Sequence, residues 1–182
     1  MRVIAGELGG RRLQAPRGRG TRPTSERARE ALFAMLDDVA GASVLDLFAG
    51  SGALGIEALS RGAADAVFVE RDRLALRALR ANLEQLALSP PRASVRATDA
   101  LAALRSARGR KETYDLLFID PPYSQARDWG PELTTALPPL LRPAARVVVE
   151  SDRRAPLELG LELELQRERR YGDTTIRIHL QR

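Results

Sequence analysis

From Val44 to Gly55 the chain reads Val-Leu-Asp-Leu-Phe-Ala-Gly-Ser-Gly-Ala-Leu-Gly, an apolar run that meets glycines at 50, 52 and 55 and then turns helix-forming. No other segment restricts the fold as strongly, because this spacing needs a strand, a turn with backbone angles open to glycine, and a helix packed closely on the strand it leaves. Strand and helix patterns alternate around it. The strand candidates are residues 43–48, 66–70, 93–97, 114–119 and 146–150, and the clearest helical periodicity between them covers 73–86. Alternation of this kind predicts an α/β fold, a mostly parallel sheet with right-handed crossovers and helices on both faces. Residues 161–169 and 174–180 instead alternate with period two around Tyr171-Gly172-Asp173, which predicts a terminal antiparallel hairpin. At the other end, the runs 2–5 and 11–14 flank Gly9-Gly10 and predict a small N-terminal β-hairpin extension. From Thr24, a suitable N-cap, Ala28, Ala31, Leu32, Met35 and Leu36 mark one face of a helix.

A chain of 182 residues is expected to form a single domain, with residues 1–23 as a basic hairpin and loop and 24–182 as the core. No apolar stretch approaches the roughly 18 residues of a membrane span, and the amino terminus lacks a signal-type apolar region. A soluble, cytoplasmic protein is expected. There is no cysteine and one histidine, His179, in a late strand-like run, so thiolate metal sites, disulfides and Ser-His catalysis lack material. We expect no metal and read His179 as structural.

The formal charge of +5 is not spread evenly. Residues 1–30 hold eight Arg against three Glu, and the other 152 residues are neutral, so the whole surplus is amino-terminal. Residues 15–23 are too rich in Gly, Pro and Arg to form an element and read as a flexible basic loop. A compact body with a basic arm suits a polyphosphate partner, with Arg2, Arg11, Arg12, Arg17, Arg19, Arg22 and Arg27 as candidate nucleic-acid contacts. The competing explanation is a solvated arm in an Arg-biased composition, since Lys111 is the only lysine.

Gly50, Gly52 and Gly55 form G-x-G-x-x-G in strand–turn–helix context, and Glu70 follows at the end of the next strand, where a carboxylate can hold ribose hydroxyls. An adenosine-type cofactor is implied. Three features favour S-adenosyl-L-methionine over a nicotinamide dinucleotide. Asp46 sets a carboxylate just before the glycines, where it would repel a pyrophosphate and attract an ammonium group. Asp99, after the third strand, offers an acceptor for an adenine amine, although it would equally serve as an N-cap. The fourth strand ends in an unusual turn, and the chain leaves no room for a substrate domain. The candidate cofactor residues are Asp46, Phe48, Ala49, Gly50, Ser51, Gly52, Leu54, Gly55, Glu70, Arg71, Asp99 and Ala100.

That turn is Asp120-Pro121-Pro122-Tyr123, directly after Leu116-Leu117-Phe118-Ile119. Two prolines cannot continue a ladder, so the strand stops in a stiff loop rich in acceptors, with an aromatic face beside it. It suits a planar group carrying an exocyclic amine: the Asp120 carboxylate and the Pro121 carbonyl would orient the NH2, and Tyr123 would stack on the ring. Asp120, Pro121, Pro122 and Tyr123 are therefore the candidate catalytic residues. Methyl transfer from a sulfonium is an in-line displacement that needs positioning rather than a metal or a covalent intermediate. A base in a paired stem could not reach such a pocket, so the target should be unpaired or flipped out. Trp129, within 124–131, belongs either to a lid over the base or to the packing.

With these residues in view, the chain resembles the class I S-adenosylmethionine-dependent methyltransferases of Rossmann-like fold. In particular it resembles the bacterial 16S ribosomal RNA guanine-N2 methyltransferases of the RsmD family. The likeness lies in Arg2-Val3-Ile4-Ala5-Gly6, Gly10-Arg11, the run from Arg22-Pro23-Thr24 to Phe33, residues 44–62, the D-P-P-Y turn and Tyr171-Gly172-Asp173-Thr174. Glu26 stands where such proteins often have Asp. The resemblance implies N2 methylation of a guanine in 16S rRNA, within the 30S subunit or an assembly intermediate, by a monomer. It also implies that Arg22 lies near substrate phosphate or the cofactor. A DNA amino-methyltransferase shares the D-P-P-Y turn, and a non-catalytic assembly factor would share the cofactor loop.

Overall fold

A computed structural model of the chain describes residues 1–16, 26–121 and 126–182, with the backbone alone for 126–128. Its helices are α1 (Glu26–Met35), α2 (Ala53–Ser60), α3 (Arg73–Gln85), α4 (Ala100–Gly109) and α5 (Ala126–Ala136). The strands β1 (Ser43–Asp46), β2 (Asp65–Glu70), β3 (Ala93–Ala97), β4 (Tyr114–Ile119), β5 (Leu141–Asp152), β6 (Leu163–Tyr171) and β7 (Thr174–Gln181) form one sheet in the order 3-2-1-4-5-7-6. β1 to β5 pair in parallel, and β7 and β6 complete the sheet as an antiparallel hairpin. The α/β expectation and the terminal hairpin hold.

Both faces of the sheet are buried, which is why the strands read as unbroken apolar runs. Leu116 and Phe118 of β4 enter the core beneath α1, α2 and α3, whereas Leu117 and Ile119 enter the core beneath α4 and α5. The strand order reverses between β1 and β4, and in open α/β sheets the crevice beyond the strand ends at such a switch point is where ligands bind. Among the described residues no helix is long and apolar enough to cross a membrane.

Several boundaries differ from the sequence reading, among them β6, which runs from Leu163 to Tyr171 and not over 161–169. β1 ends at Asp46, two residues before the expected Phe48, because the chain leaves the ladder to form the glycine turn. β5 runs from Leu141 to Asp152, well beyond its apolar stretch, because it is flanked by β4 on one side and β7 on the other.

The amino-terminal hairpin forms but is short: an antiparallel bridge, Arg2 with Arg12, with the Val3, Gly10 and Leu13 N–H groups donating to the Arg11, Val3 and Met1 carbonyls at 2.9 Å, and it extends no further. The reason is competition for backbone donors. Ile4 and Ala5 give their N–H groups to the Glu57 carboxylate at 2.7 and 3.1 Å, and Glu7 and Leu8 give theirs to the Ser60 carbonyl and hydroxyl at 2.8 and 3.0 Å. Residues 1–16 are thereby docked on the end of α2, with Val3 and Leu13 in the core. Gly6 makes the approach possible: its φ is +81°, and a Cβ there would lie 1.8 Å from the Ser60 carbonyl oxygen. Glu57 is fully buried and is also met by Arg61 at 2.8 Å and by the fully buried Arg29 at 3.8 Å. The expected loop lies, from residue 17 on, outside the described residues, as does Thr24.

Candidate active site

Each of the five parallel strands delivers one carboxylate to the same edge of the sheet. Asp46 closes β1, Glu70 closes β2, Asp99 follows β3, Asp120 follows β4, and Glu150 lies near the end of β5. An edge so acidic repels a pyrophosphate and favours a ligand that brings a cation and N–H donors.

The glycine loop is tied to this edge by side chains. Asp46 is buried, and its Oδ2 accepts the Gly55 N–H at 3.0 Å. Burial pushes its carboxyl up to about 7, the Gly55 N–H works against that shift, and the charge of Glu70 adds to it. Glu70 Oε2 accepts the Gly50 N–H at 2.8 Å, and its Oε1 accepts the Arg71 and Asp72 N–H groups at 2.7 Å each. The expected ribose ligand is thus also the clamp on the first glycine. A carboxylate has about four lone-pair sites, so with three of them taken one remains, on Oε2, for a ribose hydroxyl.

The three glycines do different work. Gly50 has φ +56° with nothing within 4 Å of a built Cβ, so it borders open space. Gly52, at φ +82°, would set a Cβ 2.5 Å from Leu79, and Gly55 would set one 2.4 Å from the Phe68 ring. The first glycine leaves room outside the loop, Gly52 lets the loop pack against Leu79 of α3, and Gly55 lets α2 close on Phe68 of β2. Ala49, Ser51 and Leu54 of the same loop are buried, and Phe48 packs edge-on against Trp129 of α5, centroids 5.1 Å apart at 74°. Trp129 is therefore a packing residue on a helix that joins the glycine loop to the segment after the double proline.

Asp99 caps α4, its Oδ1 accepting the Ala102 N–H at 2.9 Å, with Ala100 buried behind it. Asp120 is half-buried. The β4–β5 register pairs Ile119 with Val149, so its next step sets Asp120 alongside Glu150. Burial first, then the charges of Glu150 and Asp46, hold the Asp120 carboxyl well above the ordinary carboxylate range. A carboxyl whose hold on a proton is strengthened in this way is suited to accept a hydrogen bond from an amine, or the proton that amine releases. Pro121 is buried beside it; Pro122 and Tyr123 lie outside the described residues.

Of the candidate nucleic-acid residues, Arg11, Arg12 and Arg27 are exposed, and Arg2 pairs with Glu26 at 3.2 Å. Arg17, Arg19 and Arg22 are outside the described residues. The sequence reading missed Asn82, whose amide donates to the Ser51 carbonyl at 2.9 Å and exchanges bonds of 2.7 and 3.0 Å with Gln14. It fastens the amino-terminal segment to the glycine loop, and a polar residue within the apolar stripe of α3 was the signal for it. Glu150 was also missed, since one carboxylate at the end of an apolar strand has no local signature. His179 is half-buried in β7, across from Val147 and Leu165, and its imidazole pKa is lowered by burial. Among the described residues no cluster of acidic or His side chains is arranged to hold a metal ion.

Residues 1–180 match the family described as conserved hypothetical protein 95. A Bacillus subtilis protein under the provisional name rRNA methyltransferase YlbH is 39% identical over 186 residues, covering 100% of both chains. The ribosomal RNA small subunit methyltransferase D of Haemophilus influenzae is 32% identical, covering 98% of this chain and 93% of its own. A solved Escherichia coli structure, provisionally named methyltransferase yhhF, superposes with a TM-score of 0.83 at 35% identity, over 100% of this chain and 97% of that one.

Proposed function

The chain belongs to the conserved hypothetical protein 95 family, and we propose that it transfers a methyl group from S-adenosyl-L-methionine to the N2 amine of an unpaired guanine in small-subunit ribosomal RNA. The observation that carries this is the position of Asp120. It leaves β4 beside the strand that leads through Asp46 into the glycine loop, so an amine acceptor and a cofactor loop share one crevice.

The residues present fit the methyl donor. Gly50 leaves open space outside the loop, the buried Asp46 carboxylate suits an ammonium group, and Glu70 and Asp99 keep acceptor capacity for a ribose hydroxyl and an adenine amine. The donor supplies an electrophilic methyl on a sulfonium centre. The protein then holds the acceptor in line and excludes water. An aromatic amine is a weak nucleophile because its lone pair is delocalised into the ring. Asp120 would accept one N–H and the Pro121 carbonyl the other, which would fix the direction of the nitrogen lone pair for an in-line displacement. The raised affinity of Asp120 for a proton lets it take the one the amine releases on methylation. Tyr123, outside the described residues, would stack on the base.

The substrate class follows from the small-subunit rRNA methyltransferase names of the relatives and from the basic amino-terminal stretch. Guanine N2, a place of action in the cytoplasm, and a 30S subunit or assembly intermediate as the physical substrate complete the proposal. Labelled methyl transfer to naked 16S rRNA, 30S subunits and DNA, followed by nucleoside analysis, tests it. Label in N2-methylguanosine from RNA is expected; label in N6-methyladenosine, or in DNA alone, overturns it.

A further inference from the structure

Arg73, Arg77 and Arg80 all lie exposed on α3 at i, i+4 and i+7, one stripe of the helix about 10 Å long. Their guanidinium groups, and those of Arg11 and Arg12, make no ion pair or hydrogen bond among the described residues. Other arginines are mated, Arg142 with Asp115 at 2.6 Å, Arg96 with Glu112 at 2.7 Å, and Arg177 with Glu158 and Glu168 at 2.8 Å, while among the described residues the exposed Arg27, Arg105, Arg108 and Arg153 share the unmated state of the stripe. An Arg-biased composition accounts for the number of arginines but not for three unmated ones on a single helix face with two more on the segment fastened to that helix.

Helix stability does not account for it either. α3 has Arg73 and no acidic residue in its first turn, and Glu84 and no basic residue in its last, the reverse of what the helix dipole favours. The helix is held instead by Asp72, whose carboxylate caps the Leu74 and Ala75 N–H groups at 3.0 and 2.8 Å, and by its apolar face. Leu74 stands beside the stripe at 46% exposure, an apolar surface next to three cations.

The stripe continues beyond the helix. Gln85 donates to the Arg12 carbonyl at 3.2 Å, and Asn82 grips Gln14, so the segment bearing Arg11 and Arg12 is fixed at the far end of α3. At the near end, Arg73 is three residues past Glu70, on the sheet edge that carries Asp120. We infer that Arg73, Arg77 and Arg80, prolonged by Arg11 and Arg12, form a track for the phosphate backbone of the RNA, running from the crevice down the flank of the domain. The inference rests on RNA being the substrate. It assigns the electrostatic grip to a rigid helix face in the part of the chain whose net charge is zero, where composition gave no hint of it.

The test is the variant Arg73→Gln/Arg77→Gln/Arg80→Gln, which keeps good helix formers at all three positions. Filter retention of naked 16S rRNA and of 30S subunits is measured across a salt series, with cofactor affinity measured separately. Loss of three phosphate contacts should reduce the slope of log affinity against log salt by about 2 and weaken binding at least about tenfold, with cofactor affinity unchanged. Glu84→Gln removes the one carboxylate from the stripe and should tighten binding, a gain that misfolding cannot imitate. RNA binding with wild-type affinity and slope in the triple variant overturns the track while leaving the substrate assignment intact. Weakened binding to 30S subunits but not to naked rRNA also overturns it, since the partner would then be an acidic protein. A wild-type protein that neither binds nor methylates RNA overturns both.

Discussion

Glu70, the last residue of β2, accepts the backbone N–H of Gly50 at 2.8 Å, so one carboxylate joins the ends of two neighbouring strands and sets the first glycine of the loop. Its other oxygen is held by the Arg71 and Asp72 N–H groups. Glu70→Gln should therefore do more than remove a ribose acceptor. An amide turns a donor toward at least one of these backbone N–H groups, costing on the order of 1–3 kcal/mol and loosening the loop. Calorimetry should show cofactor affinity down at least tenfold, and hydrogen exchange should show faster exchange at Gly50; unchanged exchange would confine the residue to ligand contact.

The buried Asp46 makes stability and cofactor affinity respond to pH in opposite directions. Its carboxyl lies at about 7 in the folded protein against an ordinary 3.8. The folded state thus holds the proton more tightly than the unfolded chain, and the stability this contributes is complete below pH about 4 and lost as pH rises through 7. Asp46→Asn keeps an acceptor for Gly55, so thermal unfolding should occur at a higher temperature than wild type at pH 8 and at nearly the same temperature at pH 4. Cofactor affinity should do the reverse in wild type. It should rise about tenfold per pH unit up to 7 and level off above, because the ammonium group needs the ionised carboxylate. An affinity flat from pH 5 to 8 would remove Asp46 from the cofactor site.

Asp120→Ala should abolish methyl transfer while cofactor binding changes by less than about threefold, the loss falling in kcat as expected for a group that acts in the transition state. Loss of cofactor binding in the same variant would mean that Asp120 belongs to the donor side of the crevice.

Gly50 and Gly55 should fail in different ways when replaced by Ala. A Cβ at Gly55 meets the Phe68 ring at 2.4 Å, so Gly55→Ala should lower stability by about 1–3 kcal/mol through overpacking, with partial rescue by Phe68→Leu. At Gly50 the space is open and the strain lies in its φ of +56°, so Gly50→Ala should cost about 1 kcal/mol and act chiefly on cofactor affinity. Chemical denaturation and calorimetry on both variants separate the two effects.

Glu57→Ala should be among the most destabilising single changes. It removes the acceptor of the Ile4 and Ala5 N–H groups and leaves Arg29 buried without its opposing charge, a loss of about 3–5 kcal/mol. Limited proteolysis should then cut within residues 1–16; a protected amino terminus would show that Val3 and Leu13 suffice to hold it.

Much of this was written locally. The period of apolar residues, the glycine spacing and the double proline act within a few residues of themselves, and they sufficed for the parallel sheet, the terminal hairpin and the candidacy of Asp46, Glu70 and Asp120. Asn82 and Glu57 were not legible in the same way, because each is a polar residue on a helix whose partners lie 68 and 53 residues away.

The sequence by itself determined the elements and the chemistry each strand carries to its end, since backbone conformation and side-chain periodicity depend on near neighbours. Only the tertiary structure decided that β4 lies beside β1, which brings Asp120 to the glycine loop, and that residues 1–16 are a docked segment rather than a free arm. It also decided which arginines found carboxylates and which, on α3, did not. These outcomes turn on competition among distant partners for the same backbone groups and buried charges, and that competition is settled only when the sheet and its two helical layers close together.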